Sequence, residues 1–303
     1  MNALIAETPP IDSVRVLLFE LIDYAGLFPP SNVSMPEAVV NYATYKNSNY
    51  GWMLGRFILP VSRLNEFVEA VRNVSTGDAP WRLSVLAGED IINSIREIKT
   101  FNAEHGRFAL CDMIEVKATT VSKIENTVHS LPAEIPAYFE ISLDENLAEL
   151  VSTLSIKKQR AKIRTGGVTR EDFPSSRDVI RFVRSCMAAN VPFKATAGLH
   201  HPIRCYRPLT YAANAPQGTM HGFLNMLLMA CFARESYRVG VLEELMEEEF
   251  EEVFLFSDGG VRWRNEHAVT TSQLGYMRKK AFHSFGSCSF DDPIADLREM
   301  NLL

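Results

Sequence analysis

Hydrophobic and polar residues form two different patterns along this chain. Short apolar runs bounded by Gly, Pro or polar residues are typical of buried strands. Between them lie segments with apolar residues at three- and four-residue intervals, as in 174–190, which indicate amphipathic helices. The repeated alternation predicts a fold in which most strands are followed by a helix.

Eight runs are predicted to be strands. The first follows the apolar segment 13–21 and ends near Asp23 or Gly26, and the others cover residues 52–60, 81–88, 108–117, 137–142, 161–167, 192–198 and 252–260. Eight strands in a chain of 303 residues predict a single (β/α)₈ barrel domain over residues 1–303. An open doubly wound sheet is the alternative, but its phosphate-binding motifs, GxGxxG and GxxxxGK[ST], do not occur.

Two regions depart from the alternation. Residues 199–218 follow the seventh predicted strand and are rich in Pro, Arg and Tyr, so they are predicted to form a lid-like loop. From about residue 262 the chain is predicted to form a C-terminal extension that ends in a short helix.

Composition limits the classes of function. A net charge of −6 argues against a nucleic-acid partner, and no apolar run approaches the roughly 20 residues that span a bilayer. The five scattered cysteines and the opening MNALIAETPP, which is unlike a signal peptide, predict a cytoplasmic protein. Self-association into a homo-oligomer is compatible with the sequence.

The stretch 161–204 carries the strongest candidate chemistry. Side chains alternate faces along a strand, so Lys162 shares a face with Arg164, and Lys194 shares a face with Thr196. The helical segment between the two runs predicts a βαβ unit with parallel neighbouring strands. Cationic side chains are therefore expected to meet at the carboxyl ends of these strands, where barrel active sites lie.

The same face argument adds charged residues from other strands to the predicted barrel interior. They are Arg56, Glu115, Lys117 and Glu140. Lys117 could instead point to water at its strand end, and the glutamates could form structural ion pairs with Lys162 and Lys194. The catalytic candidates are Lys162, Lys194, Glu115 and Glu140, and the substrate-binding candidates here are Arg56, Arg164 and Thr196.

Glycines and basic residues after the later strands predict an anionic ligand. Gly166, Gly167 and Gly198 allow close backbone approach, as at barrel phosphate sites, although ordinary tight turns would use them too. Arg204 lies nearby in sequence and is a further binding candidate. His221 precedes a predicted helix, which it could cap, or it could reach the site.

Two neighbouring lysines suggest amine chemistry. A lysine beside another cation has a depressed pKa, and its neutral amine can condense with a carbonyl to form a Schiff base. The segments KIRTGG and KATAG resemble the corresponding strands of class I deoxyribose-phosphate aldolases. The resemblance covers little more than two strands, and it implies that Lys162 is the nucleophile and that no cofactor is required.

Two other functions remain open. Glu115, Glu140 and His221, together with His200 and His201 as the main candidates, could bind a divalent metal in a hydrolase or lyase, although no known ligand spacing is present. Alternatively, the barrel could bind a small anionic metabolite without catalysing a reaction. The leading hypothesis is an aldolase-type lyase acting on a sugar phosphate or keto acid.

Overall fold

The computed structural model describes residues 10–72, 74 and 80–303. Its centre is a closed barrel of eight parallel strands, in the order β1-β13-β7-β6-β5-β4-β3-β2, so the predicted fold class is confirmed. The strands of the described chain are β1 Ile22–Tyr24, β2 Leu54–Pro60, β3 Trp81–Leu86, β4 Ala109–Lys117, β5 Ala137–Glu140, β6 Arg160–Arg164, β7 Phe193–Thr196, β8 Cys205–Pro208, β9 Gln217–Met220, β10 Phe254–Ser257, β11 Gly260–Trp263, β12 His267–Thr270 and β13 Phe282–Ser287.

Helices surround the barrel and follow most of its strands. They are α1 Asp12–Leu18, α2 Met35–Lys46, α3 Leu64–Val71, α4 Ile91–His105, α5 Val121–Ser130, α6 Leu147–Ile156, α7 Ser176–Ala188, α8 Phe223–Arg234, α9 Val239–Met246, α10 Thr271–Lys280 and α11 Asp291–Glu299. The Ser34 hydroxyl accepts a hydrogen bond from the Glu37 backbone N–H and caps α2. None of the described helices is long and apolar enough to cross a membrane.

The predicted eighth strand is wrong. Phe254–Ser257 pairs with β11, and β11 pairs with β12, in a separate antiparallel sheet. The eighth barrel strand is β13, which lies inside the region predicted to be a C-terminal extension. The segment SDGG turns the chain back at Ser257 and Gly260, so β10 begins a hairpin instead of leading into a helix.

The barrel interior follows the predicted alternation of faces. Lys162 and Lys194 are register partners on β6 and β7, and both point into the lumen. Their neighbours Ile163 and Ala195 are fully buried among the hydrophobic residues that pack outside the sheet. This parity brings the charged residues of several strands together at the axis of the barrel.

Candidate functional site

A cavity of about 570 Å³ opens at the carboxyl ends of the barrel strands. Of the predicted catalytic residues, Glu115, Glu140 and Lys162 line it. Of the predicted substrate-binding residues, Arg164, Thr196, Gly167 and Gly198 line it. We call this space the upper cavity. Its position agrees with the usual location of barrel active sites.

Lys162 lies at the floor of the upper cavity between two carboxylates. Its Nζ atom is 2.6 Å from Glu115 Oε2 and 2.9 Å from Glu140 Oε2. Glu140 also accepts a hydrogen bond of 3.1 Å from Arg164 Nε. Lys162 is only 4% exposed, whereas the Arg164 side chain is 52% exposed. The amine is therefore deep, and the guanidinium lies at the rim.

A second layer of polar groups lies beneath Lys162. Lys194 is completely buried and donates to Asp23 at 2.5 Å and to Glu115 at 2.8 Å. The hydroxyl of Ser84 donates to Glu115, and the hydroxyl of Ser284 donates to Asp23. These contacts form a continuous series in which acidic and basic side chains alternate: Asp23, Lys194, Glu115, Lys162, Glu140 and Arg164.

The ionisation of these groups follows from their partners. Burial alone would raise the pKa of Glu115, but Lys162 and Lys194 outweigh it and hold that pKa well below its usual range. Glu140 behaves in the same way, with Lys162 and Arg164 lowering its pKa against the effect of burial. Burial alone would lower the pKa of Lys194, but Asp23 and Glu115 hold it above the ordinary value.

The expectation that neighbouring lysines keep one amine near neutral is therefore wrong for Lys194. Glu115 contacts both amines through different oxygens, so a carboxylate lies between the two cations and offsets their repulsion. Lys194 is also absent from the described lining of the upper cavity. It is a buried partner of the two acids, and Lys162 is the amine that faces the ligand space.

Three of the predicted binding residues lie elsewhere. Arg56 belongs to β2 but points to the opposite mouth of the barrel, where it donates to Asp112 at 2.6 and 2.9 Å. Arg204 forms an ion pair with Glu249, and His221 contacts the carbonyl of Pro174 at 2.8 Å, both outside the upper cavity. For Arg56 the alternation of faces gave the inward direction but not the height along the barrel axis. For Arg204 and His221, sequence distance from the end of β7 does not determine direction in a long connection.

The two candidate metal ligands have separate partners. His201 Nδ1 lies 2.6 Å from Asp296, whereas His200 lines the upper cavity with Nδ1 3.7 Å from Asp292. Within the described residues, no group of three or more His, Cys, Asp or Glu side chains is placed to hold a metal ion.

The predicted lid contains regular structure. β8 and β9 lie within or at the end of residues 199–218 and pair as an antiparallel hairpin. In the described chain, His200 is the residue of this loop that lines the upper cavity. Closure of the loop over a ligand stays a prediction.

Gly198 brings the loop ends of β6 and β7 close together. It has a φ of +76°, and a Cβ atom at this position would lie 2.8 Å from the Cα of Gly166. Gly166 packs behind this turn, against Phe173 and Gly198. It is therefore not part of the described lining of the upper cavity, although it was predicted to bind the ligand. A larger residue at position 198 would strain the backbone and separate the two turns that border the cavity.

Two residues of the site differ from the sequence prediction: Asp23 was not among the site candidates, and Lys117 was not among the predicted binding residues. Asp23 is fully buried in β1, where it accepts hydrogen bonds from Lys194, Ser284 and the Arg56 backbone N–H. The signal was present, because a lone acid in the apolar run LIDYAG needs a buried cationic partner. Lys117 lines the upper cavity and makes no ion pair with any described residue.

In comparisons with known proteins, no family model matches this chain. A search of curated proteins also found no match.

Proposed function

We propose that this chain is an aldolase-type lyase that forms a Schiff base between Lys162 and a small anionic carbonyl compound. One observation carries the proposal: a primary amine at the floor of the upper cavity lies between two carboxylates. The resemblance of KIRTGG and KATAG to class I deoxyribose-phosphate aldolases supports the same role for Lys162. The chemistry needs no cofactor.

Proton transfer begins the proposed reaction. The Lys162 ammonium gives a proton transiently to Glu140, whose pKa lies below its ordinary value. Glu140 is better suited to this step than Glu115 because its side chain is 14% exposed whereas that of Glu115 is 2% exposed. The neutral amine then attacks the carbonyl carbon. Protonation of the resulting hydroxyl and loss of water leave an iminium ion on Lys162.

Carbon–carbon cleavage follows from the iminium ion. A base removes the proton of the β-hydroxyl, and its oxygen forms a C=O bond while the bond between the α and β carbons breaks. The first carbonyl product leaves, and the electron pair of the broken bond moves to form an enamine on Lys162. Protonation of the enamine and hydrolysis by water release the second carbonyl product and regenerate the amine. The iminium carries the same charge as the ammonium it replaces, so the Glu115 carboxylate stabilises both.

The anionic part of the substrate is assigned to the rim of the upper cavity. Arg164 is half exposed there, and its planar guanidinium can bind a phosphate or carboxylate through two hydrogen bonds. Lys117 adds a second positive charge, and Thr196 adds a hydroxyl. A volume of about 570 Å³ suits a small sugar phosphate or keto acid.

Borohydride trapping tests the proposal directly. With a panel of sugar phosphates and keto acids, we expect reduction to fix the substrate to the protein, and peptide mass spectrometry to find the adduct on Lys162. A substrate that is turned over without any adduct would contradict the Schiff base. Loss of activity with EDTA, restored by a divalent ion, would favour the metal alternative. Ligand-induced stabilisation without turnover would favour a binding protein.

Replacement of Arg164 by glutamine is expected to weaken substrate binding. Loss of a charge-assisted contact should raise KM about tenfold or more while changing kcat less. Steady-state kinetics with the substrate that the trapping experiment identifies would measure both constants. Arg177→Gln is the matched control, because Arg177 is 83% exposed on α7 and should leave both constants unchanged. An unchanged KM in Arg164→Gln would remove Arg164 from the substrate site.

A further inference from the structure

A second cavity of about 660 Å³ lies at the opposite mouth of the barrel, where the parallel strands begin. We call it the lower cavity. Its described lining contains five cationic side chains and one carboxylate. They are Arg15, Arg56, Arg160, Arg278 and Lys279, with Glu20 as the acid.

Part of this charge is balanced within the protein. Arg56 and Arg82 share Asp112, and Arg82 also contacts Glu20 at 2.5 Å. Two cations and two carboxylates therefore form a neutral cluster at one side of the lower cavity. The remaining positive charge of the lining needs another explanation.

Four cations of the lower cavity lack a described acidic partner. Arg15, Arg160, Arg278 and Lys279 form no ion pair within 4.0 Å with the described residues. Arg160 lies over the ring of Tyr138, with 5.6 Å between the guanidinium carbon and the ring centroid. Cations gathered in a partly enclosed space repel one another, so this arrangement costs stability unless an anion joins them.

Arg278 is the most constrained of the four. Its guanidinium donates to the carbonyls of Phe282, His283 and Phe19, and its buried Nε atom has no described hydrogen-bond partner. Burial lowers the pKa of Arg278 to about 10. The carbonyls orient the guanidinium but do not neutralise it.

His283 experiences the same positive field. Burial first, and then the nearby Arg160, lower the pKa of His283 to about 4, so its ring is neutral at pH 7. Its Nδ1 atom lies 2.5 Å from the hydroxyl of Tyr138. The neutral form of His283 is expected here, because a protonated ring would add another positive charge beside the arginines.

We propose that the lower cavity binds a small, multiply charged anion of the phosphate type. Guanidinium groups match phosphate oxygens in geometry and remain charged at every physiological pH. Arg15, Arg160, Arg278 and Lys279 surround the space on several sides, so an anion with several charged groups can contact more than one of them. This site is separate from the proposed Schiff-base chemistry at the other mouth.

Calorimetric titration with inorganic tripolyphosphate tests the site. We expect one molecule to bind in the lower cavity of each chain, and the double variant Arg160→Gln/Lys279→Gln to weaken this binding about 100-fold, or tenfold for each lost charge-assisted contact. Arg177→Gln, exposed on α7 and absent from the described lining of both cavities, is the matched control and should bind as the unaltered protein does. Because Lys279 is exposed, Lys279→Gln alone provides a folded variant if the double variant is unstable.

A second measurement reports the location of the anion. In the NMR spectrum, the ring signals of His283 should shift on addition of tripolyphosphate, and Arg164→Gln at the upper cavity should leave this shift unchanged. Absence of binding would overturn the proposal. So would unchanged affinity in Lys279→Gln and the folded double variant, or shifts at His200 without any shift at His283.

Discussion

Replacement of Lys162 by methionine should lower kcat by about 10³-fold or more, because it removes the nucleophile of the proposed reaction. The fold should survive the change. Glu115 would keep its ion pair with Lys194, and Glu140 would keep its ion pair with Arg164. Turnover of the substrate identified by trapping, together with thermal unfolding, would separate the loss of chemistry from any loss of structure.

A surface lysine provides the control for this result. Lys99 is exposed on α4 and is absent from the described lining of both cavities, so Lys99→Met should keep full activity. If folded Lys162→Met retained more than about a tenth of the original kcat, Lys162 would not be the nucleophile.

Replacement of Lys194 by methionine should instead produce a large loss of stability. Lys194 and Asp23 are both fully buried, so the variant leaves the Asp23 carboxylate without its cation. Breaking a buried ion pair typically costs about 3–5 kcal/mol. For a chain of this size we expect the melting temperature to fall by about 10 °C. Denaturant unfolding and calorimetry would measure both quantities.

A second substitution at Asp23 makes this prediction specific. Asp23→Asn removes the charge that Lys194→Met leaves unpaired, so the double variant should regain part of the lost stability. Lys162→Met is the comparison, since both of its carboxylates keep a cation and its loss should be smaller. Equal stability of Lys194→Met and the original protein would contradict the assigned role of this buried pair.

Strand and helix alternation made most of the barrel predictable from the sequence. That the strands of Lys162 and Lys194 are parallel neighbours followed from the βαβ pattern, and the inward direction of Glu115 and Glu140 followed from the alternation of faces. These features depend on local periodicity, which the sequence displays directly.

The errors concern properties that periodicity does not encode. β13, FHSFGS, is buried along most of its length but resembles a polar turn in sequence, whereas β10 has the composition of a strand and lies outside the barrel. Face alternation also says which side chains point inward but not their height along the axis. Arg56 points inward, yet it meets Asp112 at the lower mouth.

Because the first barrel strand pairs with the last, the barrel cannot close until almost the whole chain has been synthesised. β1 lies beside β13, and Asp23 receives its hydrogen bond from Ser284, 261 positions later. Until β13 emerges, β1 and β7 are unpaired sheet edges, which readily associate with other chains. A translation product that stops before Phe282 should therefore be captured by chaperones or degraded, with no partially active form accumulating.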